Sequence, residues 1–301
     1  MIDSDLIKKR ILVIGSNGML GQRLAEFFNN SNKVELMCVS AEENSFIPNV
    51  QYKQLDITQK NLVRQIILDF FPDFIVNAAA FTNVDKSEIE KETAWKINVG
   101  GAENIALYSW TVDAHLIHFS TDYIFDGKNG PYTEEDKPNP IGYYGRTKLA
   151  SENSIRISGT RFSIIRTNIL YGQIKYGRPD FVKWVINSLQ KGEKIFIVTD
   201  QIGNPTYIDD LVNAVNKIIK LKKEGIFNIG GCEMISRYSF TLRIAKYFGL
   251  DEKLIVPILT KELNQPAARP LKSGLITIKA ETEIGFKAHT YEETFSSMKV
   301  D

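Results

Sequence analysis

A chain of 301 residues, 43% apolar and 24% charged, has enough material to bury the core of one large domain or of two ordinary ones. Its net charge of +1 excludes a surface built for polyanions, so neither nucleic acid nor a membrane is an expected partner. No apolar run approaches the roughly 18 residues of a membrane helix, and the opening Met1-Ile2-Asp3-Ser4-Asp5 is too acidic for an export signal, so a cytoplasmic protein is expected.

Residues 10–14 (RILVI) are a short, β-branched apolar run of the kind a strand buried on both faces requires. The run breaks into Gly15-Ser16-Asn17-Gly18-Met19-Leu20-Gly21, and then Leu20, Leu24, Phe27 and Phe28 recur with helical period. Strand, glycine turn and helix in that order predict a dinucleotide-binding unit. Glycines allow a tight turn and close backbone approach, and the helix N-terminus offers free N–H groups to a pyrophosphate. Gly15, Asn17, Gly18, Met19 and Leu20 are its candidate contacts. A second strand over 34–39 reaches Ser40 without the acid that usually holds a ribose 2′-hydroxyl. Glu35 comes too early, and Glu42 and Glu43 fall in the loop. With Arg23 just inside the first helix, the pattern leans to NADP(H), NAD(H) being the alternative.

Alternation continues. A strand at 52–55 ends in Asp56 and Ile57, and Leu62, Ile66 and Phe70 mark a helix. A strand at 74–76 opens into Asn77-Ala78-Ala79-Ala80. Ala94, Ile97, Gly101 and Ile105 line a long helix, and a strand at 116–119 runs into Ser120-Thr121-Asp122. Units of this length predict the α/β class: a Rossmann-like doubly wound parallel sheet with ligands at the strands' carboxyl ends. Asp56, Ile57, Ala78, Ala79, Ala80 and Ser120 all fall at such ends. A long proline-bearing loop then delivers the chain to Tyr144-Gly145-Arg146-Thr147-Lys148. Residues four apart share a helix face, so phenol and amine point the same way. An ammonium there is expected to draw the phenol below its ordinary pKa of about 10 and make it a usable acid, with the Thr121 hydroxyl facing the same group.

Beyond a strand at 161–166 the pattern changes. Val182, Val185, Ile186 and Leu189 mark a helix, and 195–198 reads as a strand. Thr206 and Asp209 have the spacing of a capping box before a helix carrying Leu211, Val215 and Ile218. A strand at 226–229 and a helix near 238–248 follow. The expected division is an NAD(P)-binding domain over 1–166 and a smaller α/β substrate lobe over 167–301, with part of 195–230 crossing back to the sheet. The cleft between them is the expected substrate site. Cys38 and Cys232 lack metal-ligand spacing and read as reduced thiols. No metal is expected: His115, His118 and His289 have no acid cluster beside them, and the first two read as packing residues.

The turn at 15–21, Thr121 and the Tyr144-x-x-x-Lys148 pair resemble the extended short-chain dehydrogenase/reductases, with Asn98 at the place of the helix asparagine that supports the lysine. Longer strings are similar to the dTDP-4-dehydrorhamnose reductase group: NAAAFTNVDKSE at 77–88, STDYIFDG at 120–127 and GNPTYIDDL at 203–211. The resemblance implies NAD(P)H-dependent reduction of the 4-keto group of a nucleotide-linked deoxysugar, in nucleotide-sugar or polysaccharide biosynthesis. It makes Thr121, Tyr144 and Lys148 catalytic, with Lys148 also bonding the nicotinamide ribose. Val84, Asp122, Tyr123 and Arg269 would border the sugar, and a homodimer is the usual assembly. Two departures leave the sugar open. Ile169 stands where the group usually shows a tryptophan, and Leu271-Lys272-Ser273 lacks the asparagine that more often precedes the serine. The alternatives are another nucleotide-sugar epimerase or reductase, and a coenzyme-binding regulatory subunit like that of methionine adenosyltransferase. The intact Thr121, Tyr144 and Lys148 favour catalysis.

Overall fold

The computed structural model describes residues 8–298, so the acidic opening at 1–5 lies outside the described residues. In chain order the first half runs β1 (Lys9–Ile14), α1 (Met19–Asn29), β2 (Val34–Ser40), β3 (Gln51–Gln54), α2 (Lys60–Phe70), β4 (Phe74–Asn77) and α3 (Val84–Ile89). The long helix expected next is three pieces: α4 (Lys91–Trp95), a π-turn at Lys96–Gly100 and α5 (Gly101–Thr111). Then come β5 (His115–Thr121), α6 (Tyr143–Ile157) and β6 (Phe162–Thr167). The second half is β7 (Leu170–Tyr171), α7 (Phe181–Gln190), β8 (Ile195–Val198), β9 (Ile202–Gly203), β10 (Thr206–Tyr207), α8 (Ile208–Leu221) and β11 (Gly225–Asn228). It closes with β12 (Ile235–Ser236), α9 (Arg237–Tyr247), β13 (Ile255–Ile258), α10 (Ile278–Ile284) and α11 (Tyr291–Ser297).

Seven strands form one parallel sheet in the order β11-β6-β5-β4-β1-β2-β3. Side chains of a strand alternate between faces. Ile11 and Val13 of β1 accordingly enter one apolar cluster, and Leu12 and Ile14 the other. Both faces are thus covered, which is why the central strands read as unbroken apolar runs. The strand order reverses between β1 and β4, and crevices for ligands open at such switch points. Edge strand β11 comes from the second half and pairs with β6, Asn228 opposite Arg166. β8 stays outside this sheet and pairs with β13, Ile195 opposite Ile255.

The capping box expected at Thr206 and Asp209 does not form. Tyr207 is the N-cap of α8, and no side chain caps it. The Thr206 hydroxyl is buried and donates to Asn168 Oδ1 at 3.0 Å, because its residue pairs β10 with β7. Asp209 turns its carboxylate to Arg23 at 2.8 Å. Both cysteines are free, and burial pushes the Cys38 thiol up to about 12. Among the described residues no helix is long and apolar enough to cross a membrane, and no His, Cys, Asp and Glu group could hold a metal.

Candidate active site

Gly15 leaves β1 with φ +78, and a Cβ there would stand 2.6 Å from the Ala79 nitrogen. Only glycine lets the exits of β1 and β4 lie so close. Gly18 caps α1 with no side-chain hydrogen bond and no acid in the first turn, which leaves the helix's free N–H groups and partial positive charge to an anion. Gly15, Gly18, Ser40, Asp56, Ile57, Ala78, Ala79 and Ala80 line one cleft over this turn. The side chains of Asn17, Met19 and Leu20 do not line it. Asn17 donates to Asn44 O at 2.9 Å and accepts from the Phe46 amide at 2.9 Å, while Met19 and Leu20 pack into the core. The buried hydroxyls of Ser16 and Ser120 have no partner within the protein. A narrow cleft walled by glycine and alanine backbone, with orphaned donors beside it, fits a dinucleotide.

Two charges here differ from the sequence reading. Arg23 is committed, its guanidinium held by Asp209 at 2.8 Å and by Glu26 at 2.5 Å, and it does not line the cleft. Glu42, read as a loop residue, does line it.

The proton donor is placed by close packing. A Cβ at Gly145 would come within 2.1 Å of the Tyr123 carbonyl oxygen, so α6 lies directly on the turn Asp122–Ile124 that follows β5. The Tyr144 ring consequently meets Tyr123 edge to face, centroids 5.9 Å apart. Its phenol is not lowered as expected. Burial first, then the Asp122 charge, raises it above its ordinary value, and the Thr121 hydroxyl pulls partly the other way. Lys148 does not figure among the groups that move it. The reason is where the amine goes: Lys148 Nζ lies 3.2 Å from His118 Nε2 in the interior of the site. Burial brings this lysine down to about 8, opposed in part by Glu152 one turn on. The sequence reads His118 as a packing residue. It is buried, pushed well below its ordinary pKa by burial and by Lys148, and fixed by Asn77 at 3.1 Å. Asn98, carried by the π-turn, supports α6 without touching the amine. Its amide nitrogen donates to Thr147 Oγ1 at 2.9 Å and its oxygen accepts from the Phe81 amide at 2.8 Å.

Across from this group lies the second cleft. Val84, Tyr123 and Arg269 line it together with Phe181, Trp184, Gln201 and Arg237. Asp122 and Ile169 line the adjoining depression, which Ser273 closes by donating to Asp122 Oδ2. Burial, against the pull of that bond and of Thr121, raises the Asp122 carboxyl to about 6. Arg269 is steadied by Asp85 at 2.8 Å. Arg237 lies 5.3 Å over the Phe181 ring, with Tyr123 and Asp122 charge-coupled to it. Nothing local in the sequence singles out Arg237, which opens α9 far along the chain. Two guanidiniums and aromatic walls, with Tyr123 between this cleft and the Tyr144 ring, suit a substrate with a diphosphate and a polar ring.

A family model described as the RmlD substrate binding domain matches residues 9–300. A dTDP-4-dehydrorhamnose reductase of Aggregatibacter actinomycetemcomitans is 31% identical over 96% of this chain and 98% of its own length. The methionine adenosyltransferase 2 subunit beta of Rattus norvegicus is 29% identical over 91% of this chain and 82% of its own. The crystal structure of dTDP-4-dehydrorhamnose reductase from Bacillus anthracis in complex with NADP superposes with a TM-score of 0.87 at 33% identity, covering 97% of this chain and all of that one.

Proposed function

Because this chain belongs to the family described as the RmlD substrate binding domain, we propose that it is an NAD(P)H-dependent oxidoreductase that reduces the 4-keto group of a nucleotide-linked deoxysugar. The observation that carries this reading is one meeting point. The Thr121 hydroxyl bonds the Tyr144 phenol, and the Tyr144 ring packs on Tyr123, a wall of the cleft of Arg237 and Arg269, while Lys148 stands one turn along α6 from Tyr144. A regulatory subunit has no chemical need for that arrangement. The glycine turn, Ala78–Ala80 and the unpartnered Ser120 hydroxyl would hold the coenzyme, which supplies a hydride when bound.

The residues of the chain do the rest. Tyr144 holds its proton throughout the neutral range, because burial raises its pKa, and passes it to the carbonyl oxygen as negative charge develops there. Thr121 lends the same oxygen a hydrogen bond. Arg237 and Arg269 would clasp the diphosphate, and Trp184 and Phe181 would flank the base. Ile169 offers the sugar a curved aliphatic surface instead of a flat ring, which points to a sugar whose ring is not stacked there. The test is absorbance loss at the nicotinamide band when purified protein, reduced coenzyme and dTDP-4-keto-6-deoxy-mannose are mixed. Turnover is expected. Coenzyme binding without turnover of this or any other nucleotide-4-ketosugar would favour the regulatory reading instead.

The pH profile gives a second check. Lys148 must be charged to hold the ribose and steady the developing alkoxide, and its charge is lost as pH rises through about 8. The phenol, displaced upward, loses nothing in that range. kcat/KM, which reports ionisations of the free enzyme, is therefore expected to fall across pH 8. A profile flat up to pH 10 would remove Lys148 from the proton chemistry.

A further inference from the structure

We infer that His118 is the positioning residue of Lys148: its imidazole shows the amine an N–H, and so turns the hydrogens of the ammonium out toward the ribose of the coenzyme. The inference rests on the coenzyme reading above and adds what holds the lysine in place. By resemblance that support falls to Asn98, whose side chain is bonded to Phe81 and Thr147 instead. His118 and Asn77 face each other across the parallel pair of β5 and β4, so their side chains leave the same face of the sheet. The neighbours then place the proton on the ring. The Ala79 amide can only donate, and it donates to Asn77 Oδ1 at 3.2 Å. The NH2 end of Asn77 therefore points at His118 Nδ1, 3.1 Å away. Nδ1 accepts, so the neutral ring carries its proton on Nε2. Lys148 Nζ and Ser151 Oγ each lie 3.2 Å from that nitrogen. The serine gives its own hydrogen to the Lys148 carbonyl oxygen at 2.7 Å, so it can only accept from the ring.

An ammonium finds no acceptor on this ring. Among the described residues Nζ has no other hydrogen-bond partner, so its three N–H groups are left for a ligand, and ribose hydroxyl oxygens can accept them. A neutral amine is the opposite case: its lone pair accepts the Nε2 hydrogen, and the side chain is drawn back to the strand. The ring itself stays neutral, held so by burial and by the lysine's charge. Glu152 on the same helix favours the ammonium and is bound in turn by Arg166 of β6, while Tyr144 stands one turn before. Burial brings the amine to about 8, and an N–H facing it pulls the same way.

Two measurements on the full chain test this. The first is nitrogen NMR of histidine-labelled protein, the His118 ring being identified by elimination with His115→Gln and His289→Gln. At pH 7 a neutral ring protonated on Nε2 is expected; a proton on Nδ1, or a charged ring, would overturn the inference. The second is NADPH binding from pH 7 to 10, followed by nicotinamide fluorescence with no sugar present. The parent's affinity is expected to fall as pH rises through about 8. In His118→Gln the amide can offer Nζ its oxygen and Ser151 its NH2, which favours the ammonium. The fall should move up by about one pH unit, so that at pH 9 the variant keeps about five times more of its neutral-pH affinity than the parent does. Asn98→Ala should leave the midpoint where the parent has it. An unmoved midpoint in His118→Gln sinks the inference, and an equal shift in Asn98→Ala returns the role to Asn98. The expected pH pattern without turnover of any nucleotide-4-ketosugar would end the reductase reading and keep His118 in its role. No binding of coenzyme at any pH would overturn the coenzyme reading and this inference with it.

Discussion

Changing Tyr144 to phenylalanine is expected to lower kcat roughly 10²–10⁴-fold, the usual value of a positioned proton donor, while coenzyme binding survives. The ring occupies a tight place, set edge to face on Tyr123 with α6 seated directly on the turn after β5. Phenylalanine fills that space and removes only the hydroxyl, so the fold is not at issue. The readout is steady-state rate beside coenzyme affinity. Undiminished activity would show that the proton comes from elsewhere, and the structure names the runner-up. Asp122 is bonded to Thr121 at 3.1 Å and titrates near 6, so it carries a proton only on the acid side. A residual rate that grows as pH falls through about 6 would assign the donor to Asp122.

Arg166→Ala is expected to cost about 3–5 kcal/mol of stability, read as the shift of the urea unfolding midpoint. Arg166 and Glu152 are buried, at 2% and 0% side-chain exposure, and meet through two hydrogen bonds of 3.0 and 2.8 Å. A further guanidinium nitrogen donates to Glu134 O at 3.2 Å. Truncating the arginine strands a carboxylate in the interior and frees α6 from β6. Glu152 stands one turn beyond Lys148 and acts on its charge, so the loss should also disturb the coenzyme site. Removing both charges at once, as Arg166→Met with Glu152→Leu, should restore most of the stability, because desolvating an ion pair offsets much of its attraction. A double variant as unstable as the single one would show that the bond to Glu134 and the packing of the guanidinium matter more than the charge.

The parts of this molecule legible in the sequence are those set by neighbours along the chain. A β-branched run followed by glycines and an amphipathic helix gave β1, the turn and α1. The Tyr144–Lys148 spacing gave the helix face that bears both groups. The misses share one physical cause, which is that the deciding partner lies far away. Thr206 has the spacing of a helix cap, yet a β-bridge to β7 draws its hydroxyl into Asn168. Arg23 has the place of a phosphate ligand, yet Asp209, 186 residues on, claims it. Helix geometry alone assigns Lys148 to the phenol, yet His118, thirty residues earlier on β5, takes its amine. Arg237 carries no local mark at all. Glu42 reads as a loop residue, because the loop that folds it back over the cleft is held by the distant Asn17 side chain.

The membership of β11 in the sheet bears on how such enzymes can be recombined. A chimera that joins the first 166 residues to a foreign substrate lobe would leave β6 with an open flank of unpaired amides and carbonyls, a template for pairing with other chains. Any exchange of sugar specificity by grafting must therefore carry the Gly225–Asn228 segment along with the host, threading the donor sequence around it on both sides.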